Sequence, residues 1–229
     1  MESIGSIYRD LGRHELAKQH YDQALTIQRR LDFRLGEASI LCNVAILLRN
    51  QRRPGRAGRT VEQALSLSRE IGARTVESDS LKFLAELHLE QGFLSTAAEY
   101  AEQALLIFRD LKDHVGEGAA LGGIAKGRAQ LGQIALALEH VAAGEPLMQG
   151  EAHRIERITF LGQAAAVFGL AQDHKQAQRA LAEAIMVRDQ LEGDNPHIAQ
   201  VIGEAQALLS AQRPPHPSVP LTKEADQSR

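Results

Sequence analysis

The sequence predicts an all-α solenoid, a stack of antiparallel helix pairs, on three observations. The chain repeats itself at a constant 40-residue offset. Apolar residues recur at three- and four-residue spacing within each repeat, the period of a helix with one buried face. The composition is that of helix formers packed through small residues, with no tryptophan among 229 residues and only 4% aromatics.

The offset is visible in several independent columns. Gln-Ala-Leu stands at 23–25, 63–65 and 103–105. Leu41 recurs as Leu81, Leu121 and Leu161; Gly5 as Ala45, Ala85, Ala125 and Ala165; Ala17 as Ala57, Ala97, Ala137 and Ala177; Ala24 as Ala64, Ala104, Gly144 and Ala184. Antiparallel helices approach closely only where facing side chains are small, so the glycine and alanine columns mark helix contacts. The leucine columns mark the apolar stripe. First helices are expected at 1–11, 36–51, 76–91, 116–131 and 155–170, and second helices at 13–31, 56–71, 94–111, 133–148 and 174–191. Gly12, Gly92 and Gly132 fall between the two patterns, where a helix end favours positive φ. Asp194-Asn195-Pro196 pairs capping residues with proline at a first helical position, which opens a capping helix at about 197–212. The array is thus expected to span 1–212. Beyond it, the proline-rich and polar segment 213–229 is expected to be disordered.

Two lapses interrupt the period. Met1 falls in the Leu41 column, so the first helix of repeat 1 starts late, and the expectation is either a piece of a longer array or an interface at that edge. Pro146 lies inside the second helix of repeat 4, where it removes a backbone hydrogen bond, so a joint is expected near 143–150. The glycines at 116, 118, 122, 123 and 127 either let helices approach very closely or soften the helix.

In repeat 1, Gly5, Tyr8, Gly12, Ala17, Tyr21 and Ala24 carry a small–aromatic–glycine–alanine–aromatic–alanine pattern that resembles the tetratricopeptide repeat family. Later repeats keep the small columns but lose the aromatic ones. Leu48, His88, Arg128 and Phe168 stand in the Tyr8 column, and Val61, Ala101, Val141 and Leu181 in the Tyr21 column. The 40-residue period resembles the longer-repeat subgroup of adaptors and sensor arms, whose six extra residues add about 9 Å of helix per pair. The resemblance implies a right-handed superhelix whose first helices line a concave groove. Its columns here are Ser39, Cys42, Ile46, Arg49 and Asn50; Asp79, Lys82, Glu86, Leu89 and Glu90; Lys126 and Gln130, with Ala119, Gly122 and Ala129; and Thr159, Gly162, Ala166 and Gly169. A charged middle and a small C-terminal floor suit a peptide or helix with mixed charge at one end and an apolar anchor at the other. The Lys/Arg/Asn clamp with which related repeats hold a terminal carboxylate does not recur in these columns.

Chemistry beyond binding finds little support. Arg52, Arg53, Arg56 and Arg59, next to Arg49, cluster around a turn and could hold a phosphate or acidic peptide. Gly118 and Gly123 have phosphate-loop spacing, but Ile124-Ala125 follow where lysine and a hydroxyl residue are required. None of the nine histidines forms a metal-ligand spacing, and no nucleophile or paired carboxylates are implied. No catalytic residue, metal or other cofactor is therefore expected. The lone Cys42 cannot form an internal disulfide, no apolar stretch reaches the ~20 residues of a membrane span, and the net charge of −3 implies no nucleic-acid partner. The resulting expectation is a cytoplasmic, non-catalytic scaffold or adaptor for a protein or peptide. The alternative is a sensor or regulatory arm of a larger signalling protein such as an ATPase regulator, kinase or cyclase.

Overall fold

A computed structural model describes residues 2–149, 153–191 and 195–211. Among them are eleven α-helices and no strands: α1 (Glu2–Asp10), α2 (His14–Arg30), α3 (Arg34–Asn50), α4 (Pro54–Ile71), α5 (Arg74–Glu90), α6 (Leu94–Leu111), α7 (His114–Gln130), α8 (Ile134–Gly144), α9 (Arg154–Leu170), α10 (His174–Arg188) and α11 (Pro196–Ala211). The 40-residue offset is kept in the structure, since α3, α5, α7 and α9 are each 17 residues long and start at 34, 74, 114 and 154. They begin one or two residues before the positions expected from periodicity. The expected tail at 213–229 lies outside the described residues, as do Gly150 and Asp194.

The turns explain the regularity. Within pairs, the left-handed position falls on Gly12, Arg52, Gly92, Gly132 and Gln172; between pairs it falls on Asp32, Gly72 and Lys112. Both sets are spaced by 40. Each turn closes with the same bond from the following amide to a carbonyl five residues back, such as Arg13 N to Tyr8 O at 2.8 Å and Phe93 N to His88 O at 2.9 Å. This satisfies carbonyls that the helix end would otherwise orphan. Side-chain caps are used sparingly. Asp113, Asp173 and Asn195 accept from amides at the starts of α7, α10 and α11.

The small columns pack as contacts. Ala17, Ala57, Ala137 and Ala177 are fully buried, as are Ala45, Ala125 and Ala165. Volume is traded between columns. Repeat 1 places Tyr21, fully buried, against Gly5, where a Cβ would stand 2.6 Å from the ring; later repeats put alanine at the Gly5 position and Val61, Ala101 or Val141 at the Tyr21 position. An ion-pair ladder also follows the period, with Arg29–Glu37 at 2.7 Å, Arg69–Glu77 at 3.0 Å and Arg109–Glu117 at 2.8 Å, each tying a second helix to the next first helix.

The array departs from regularity at repeat 4. The second helix does not run to 148; α8 stops at Gly144 and a 3₁₀ turn, Glu145–Met148, follows with Pro146 near its start. The glycines of α7 serve close approach. A Cβ on Gly116 would strike Phe108, one on Gly118 would strike Met148, and one on Gly122 would strike Gln163 and Phe160. Phe160 also overlies Gly144. With α8 short and these positions bare, α9 settles directly on α7 and the stack tightens toward its concave side. There α11 lies against α9, with Val201 over Gly162, and buries Ile198, Val201, Ile202 and Ala205.

Candidate functional site

The tightening encloses a cavity of about 430 Å³ on the concave face. Its walls come from Glu2, Arg9 and Asp10 of α1; Ser39, Cys42, Asn43, Ile46, Arg49 and Asn50 of α3; Val76, Asp79, Lys82, Phe83 and Glu86 of α5; Ala119 of α7; and Ile155, Glu156 and Thr159 of α9. Asn195 and His197, at the start of α11, close the far end. Residues four and seven apart on a 17-residue helix share one face, which is why each first helix delivers several side chains to the same space.

Charged groups dominate the lining. Arg49 donates to Glu86 at 2.5 Å, and its guanidinium carbon sits 4.7 Å above the Phe83 ring. Burial opposes ionisation of Glu86, but Arg49 and Lys82 outweigh it and hold the carboxyl below its ordinary pKa. Burial likewise opposes the Lys82 ammonium, yet Glu86, Asp79 and Glu156 outweigh it and raise its pKa. Asp79 is raised by desolvation, with smaller contributions from Asp113, Glu156 and Glu86, although Lys82 pulls the other way. Arg9 bonds to Asp10 and Asn43 at 2.9 Å each, and Asn43 donates to Glu2 at 3.0 Å. The Cys42 thiol is pushed up to about 11 by burial, with Sγ 3.2 Å from Ser80 Oγ, and behaves as a buried small residue. His197 is held down to about 3 by burial and by Arg49, so it is neutral.

Of the groove residues expected from the sequence, Ser39, Cys42, Ile46, Arg49, Asn50, Asp79, Lys82, Glu86, Ala119 and Thr159 line this cavity together. Leu89, Glu90, Lys126 and Gln130 do not, nor do Gly122, Ala129, Gly162, Ala166 and Gly169. Leu89 is core, at 8% exposure; Glu90 faces His197 Nδ1 at 3.6 Å; Lys126 is engaged by Glu204 of α11 at 2.6 Å; Gln130 is exposed at the end of α7. The small C-terminal floor is not open to an apolar anchor as expected, because Phe160 and Gln163 cover Gly122 and Val201 covers Gly162. Arg52, Arg53, Arg56 and Arg59 remain on the outer side, around the α3–α4 turn and the start of α4, while Arg49 turns away from them into the cavity.

Lining residues unforeseen from the sequence are Glu2, Arg9, Asp10, Asn43, Val76, Phe83, Ile155, Glu156, Asn195 and His197. Asn43 and Phe83 lie one residue past the groove columns and Glu156 one turn before Thr159, so helical spacing contained that signal. His197 depends on how far the stack curls, which no local pattern carries. Two aromatic stacks also went unseen: Tyr8 with His20 at 5.3 Å and His88 with Tyr100 at 5.5 Å, the same two columns with the residue types exchanged. Among the described residues no group of three or more metal-binding side chains occurs, and no helix is long and apolar enough to cross a membrane.

Stacked antiparallel helix pairs at a fixed offset, with their first helices facing a shared concavity, define an α-solenoid repeat protein. The tetratricopeptide repeat family model matches residues 1–70, and the same helix pair continues at the same offset through α10. Repeats of this family form protein-interaction scaffolds. Similar solved structures are the nearly identical repeats of a Podosopora anserina protein classed with the kinesin light chains, at 16% identity and TM-score 0.58 over 82% of this chain and 92% of that one, and a single-substitution variant of those repeats, at 18% identity and TM-score 0.57 over the same shares. BtubC (BKLC) of P. vanneervenii is similar at 17% identity and TM-score 0.59, over 92% of this chain and 97% of that one. At these identities the likeness concerns the fold. No curated protein matches the sequence.

Proposed function

We propose that this protein is a non-catalytic scaffold that holds a peptide segment of a partner protein in the concave cavity. The observation that carries the reading is the convergence of polar side chains from α1, α3, α5 and α9 on one space of about 430 Å³. A core has no use for such a set. Buried polar groups cost free energy unless they are partnered, and Asn50, 8% exposed, leaves its Oδ1 without a hydrogen bond. The free half of the groove is the N-terminal one, because α11 occupies the rest. Photo-crosslinking from a benzoylphenylalanine placed at Asp10, a partly exposed residue of the cavity lining, with the Lys82→Glu and Glu86→Lys variants as comparison, tests the reading. Crosslinks that persist unchanged in both variants would place recognition elsewhere.

A second reading, a regulatory arm within a larger signalling assembly, is favoured by the apolar edge of the first pair. Ile7 is 58% exposed, whereas Leu47, Leu87 and Val167 in the same column are at most 2% exposed beneath the preceding pair. That edge accepts a further helix. If Ile7→Glu leaves every association of the protein intact, the edge is not an interface.

A further inference from the structure

The charge balance of the cavity points to the kind of segment it takes. Two of its cations are already neutralised locally, Arg9 by Asp10 and Arg49 by Glu86. What remains is one cation, Lys82, facing three carboxylates, Asp79, Glu156 and Glu2, and of these only Glu2 is held by a protein hydrogen bond, from Asn43. Among the described residues Asp79 and Glu156 have neither a hydrogen bond nor an ion pair, although they approach closely enough for Glu156 to disfavour ionisation of Asp79. Lys82 is likewise without a partner within hydrogen-bond distance among those residues. A formal excess of two negative charges inside a walled space is costly without a cation, and water alone compensates poorly where the dielectric is low. His197 adds no positive charge, being neutral.

We propose that the cavity takes the basic side chain of a partner segment, an arginine or lysine whose cationic head sits between Asp79 and Glu156 while Lys82 donates to a neighbouring backbone carbonyl. This rests on the peptide-groove reading given above. Three features fit together in it. The unpaired carboxylates supply acceptors for a guanidinium or ammonium, and the free ammonium supplies the donor that a peptide carbonyl needs. The volume admits one long side chain with its flanking backbone.

The test uses the full chain and fluorescein-labelled hexapeptide pools, N-acetylated and C-amidated, with one central position fixed as Arg, Lys, Glu or Ala. Fluorescence anisotropy should show the Arg- and Lys-fixed pools binding about tenfold or more tighter than the Glu- and Ala-fixed pools. Glu156→Gln and Asp79→Asn should each remove most of that preference. Arg59→Gln, on the outer surface, should leave it unchanged, with helicity by circular dichroism confirming that all variants fold. Binding of the basic pools should weaken as pH falls toward the raised pKa of Asp79. If the Glu-fixed pool binds best and loses its affinity in Lys82→Gln, the cavity is an anion receptor; the inference then fails while the peptide-groove reading stands. If no pool binds, both fall.

Discussion

Gly122 and Gly123 are neighbours in the middle of α7, and replacing each with alanine should move stability in opposite directions. Both substitutions gain about 1 kcal/mol of helix propensity. At Gly123 nothing lies within 4 Å of the new methyl, so the gain is kept. At Gly122 the methyl would meet the Phe160 ring at 2.8 Å and the Gln163 amide oxygen closer still. Phe160 is 1% exposed, packed over Gly144 as well, and has nowhere to retreat. Overpacking of this kind costs about 1–3 kcal/mol. Because the propensity gain is common to both variants, the difference between them isolates the clash. Urea unfolding should separate their midpoints by roughly 1 M at an m-value of about 2 kcal/mol/M. Phe160→Leu should recover much of the loss in Gly122→Ala and little in Gly123→Ala, a coupling of at least about 0.5 kcal/mol. Equal stabilisation by both alanines would refute the view that bare positions on α7 are what let α9 dock.

Arg49→Ala should destabilise by up to about 3 kcal/mol, since it strands the Glu86 carboxylate in the cavity wall. Because the Glu86 pKa is lowered in the fold, the pair contributes stability above the ordinary value of 4.5 that is lost as pH falls through the native value, and urea midpoints against pH should lose part of their acid limb in Arg49→Ala. With its thiol near 11, Cys42 should react with a disulfide reagent at pH 8 about 100-fold more slowly than a free cysteine; a rate near the free value would mean the site opens readily. Ile7→Asn should cost under about 0.5 kcal/mol and Leu47→Asn more than about 3, one column at 58% and 2% exposure, measured by thermal melts. Amides of the 3₁₀ turn at 145–148 should exchange faster than those of α8, and full protection through 148 would deny the break at Pro146.

The helix pairs are legible in the sequence because each column is a local demand repeated several times. Alanine at 17, 57, 97, 137 and 177 can be read without knowing how the pairs stack. The left-handed turns are legible only where they are glycine. Arg52, Gln172, Asp32 and Lys112 adopt the same geometry without announcing it, since the closing hydrogen bond, not the residue, selects the turn. The inner faces of α3 and α5 follow from helical spacing as far as it reaches, from Ser39 to Glu86. The C-terminal half of the groove does not. Gly122 and Gly162 look like an open floor in sequence, and only the curl of the stack, set by a shortened α8, shows Phe160 and Val201 lying on them.

The placement of α11 bears on how any affinity for this protein is to be understood. Through Glu204 on Lys126, His197 beside Glu90 and Val201 over Gly162, the chain presents its own C-terminal half-groove with a tethered occupant. A short connection keeps such an occupant at an effective concentration on the order of millimolar. Under the peptide-groove reading proposed above, a segment confined to the N-terminal cavity would not meet this competitor, whereas one extending over α7 and α9 would have to displace it and would bind more weakly by the corresponding factor. The fold would then discriminate between partners by length.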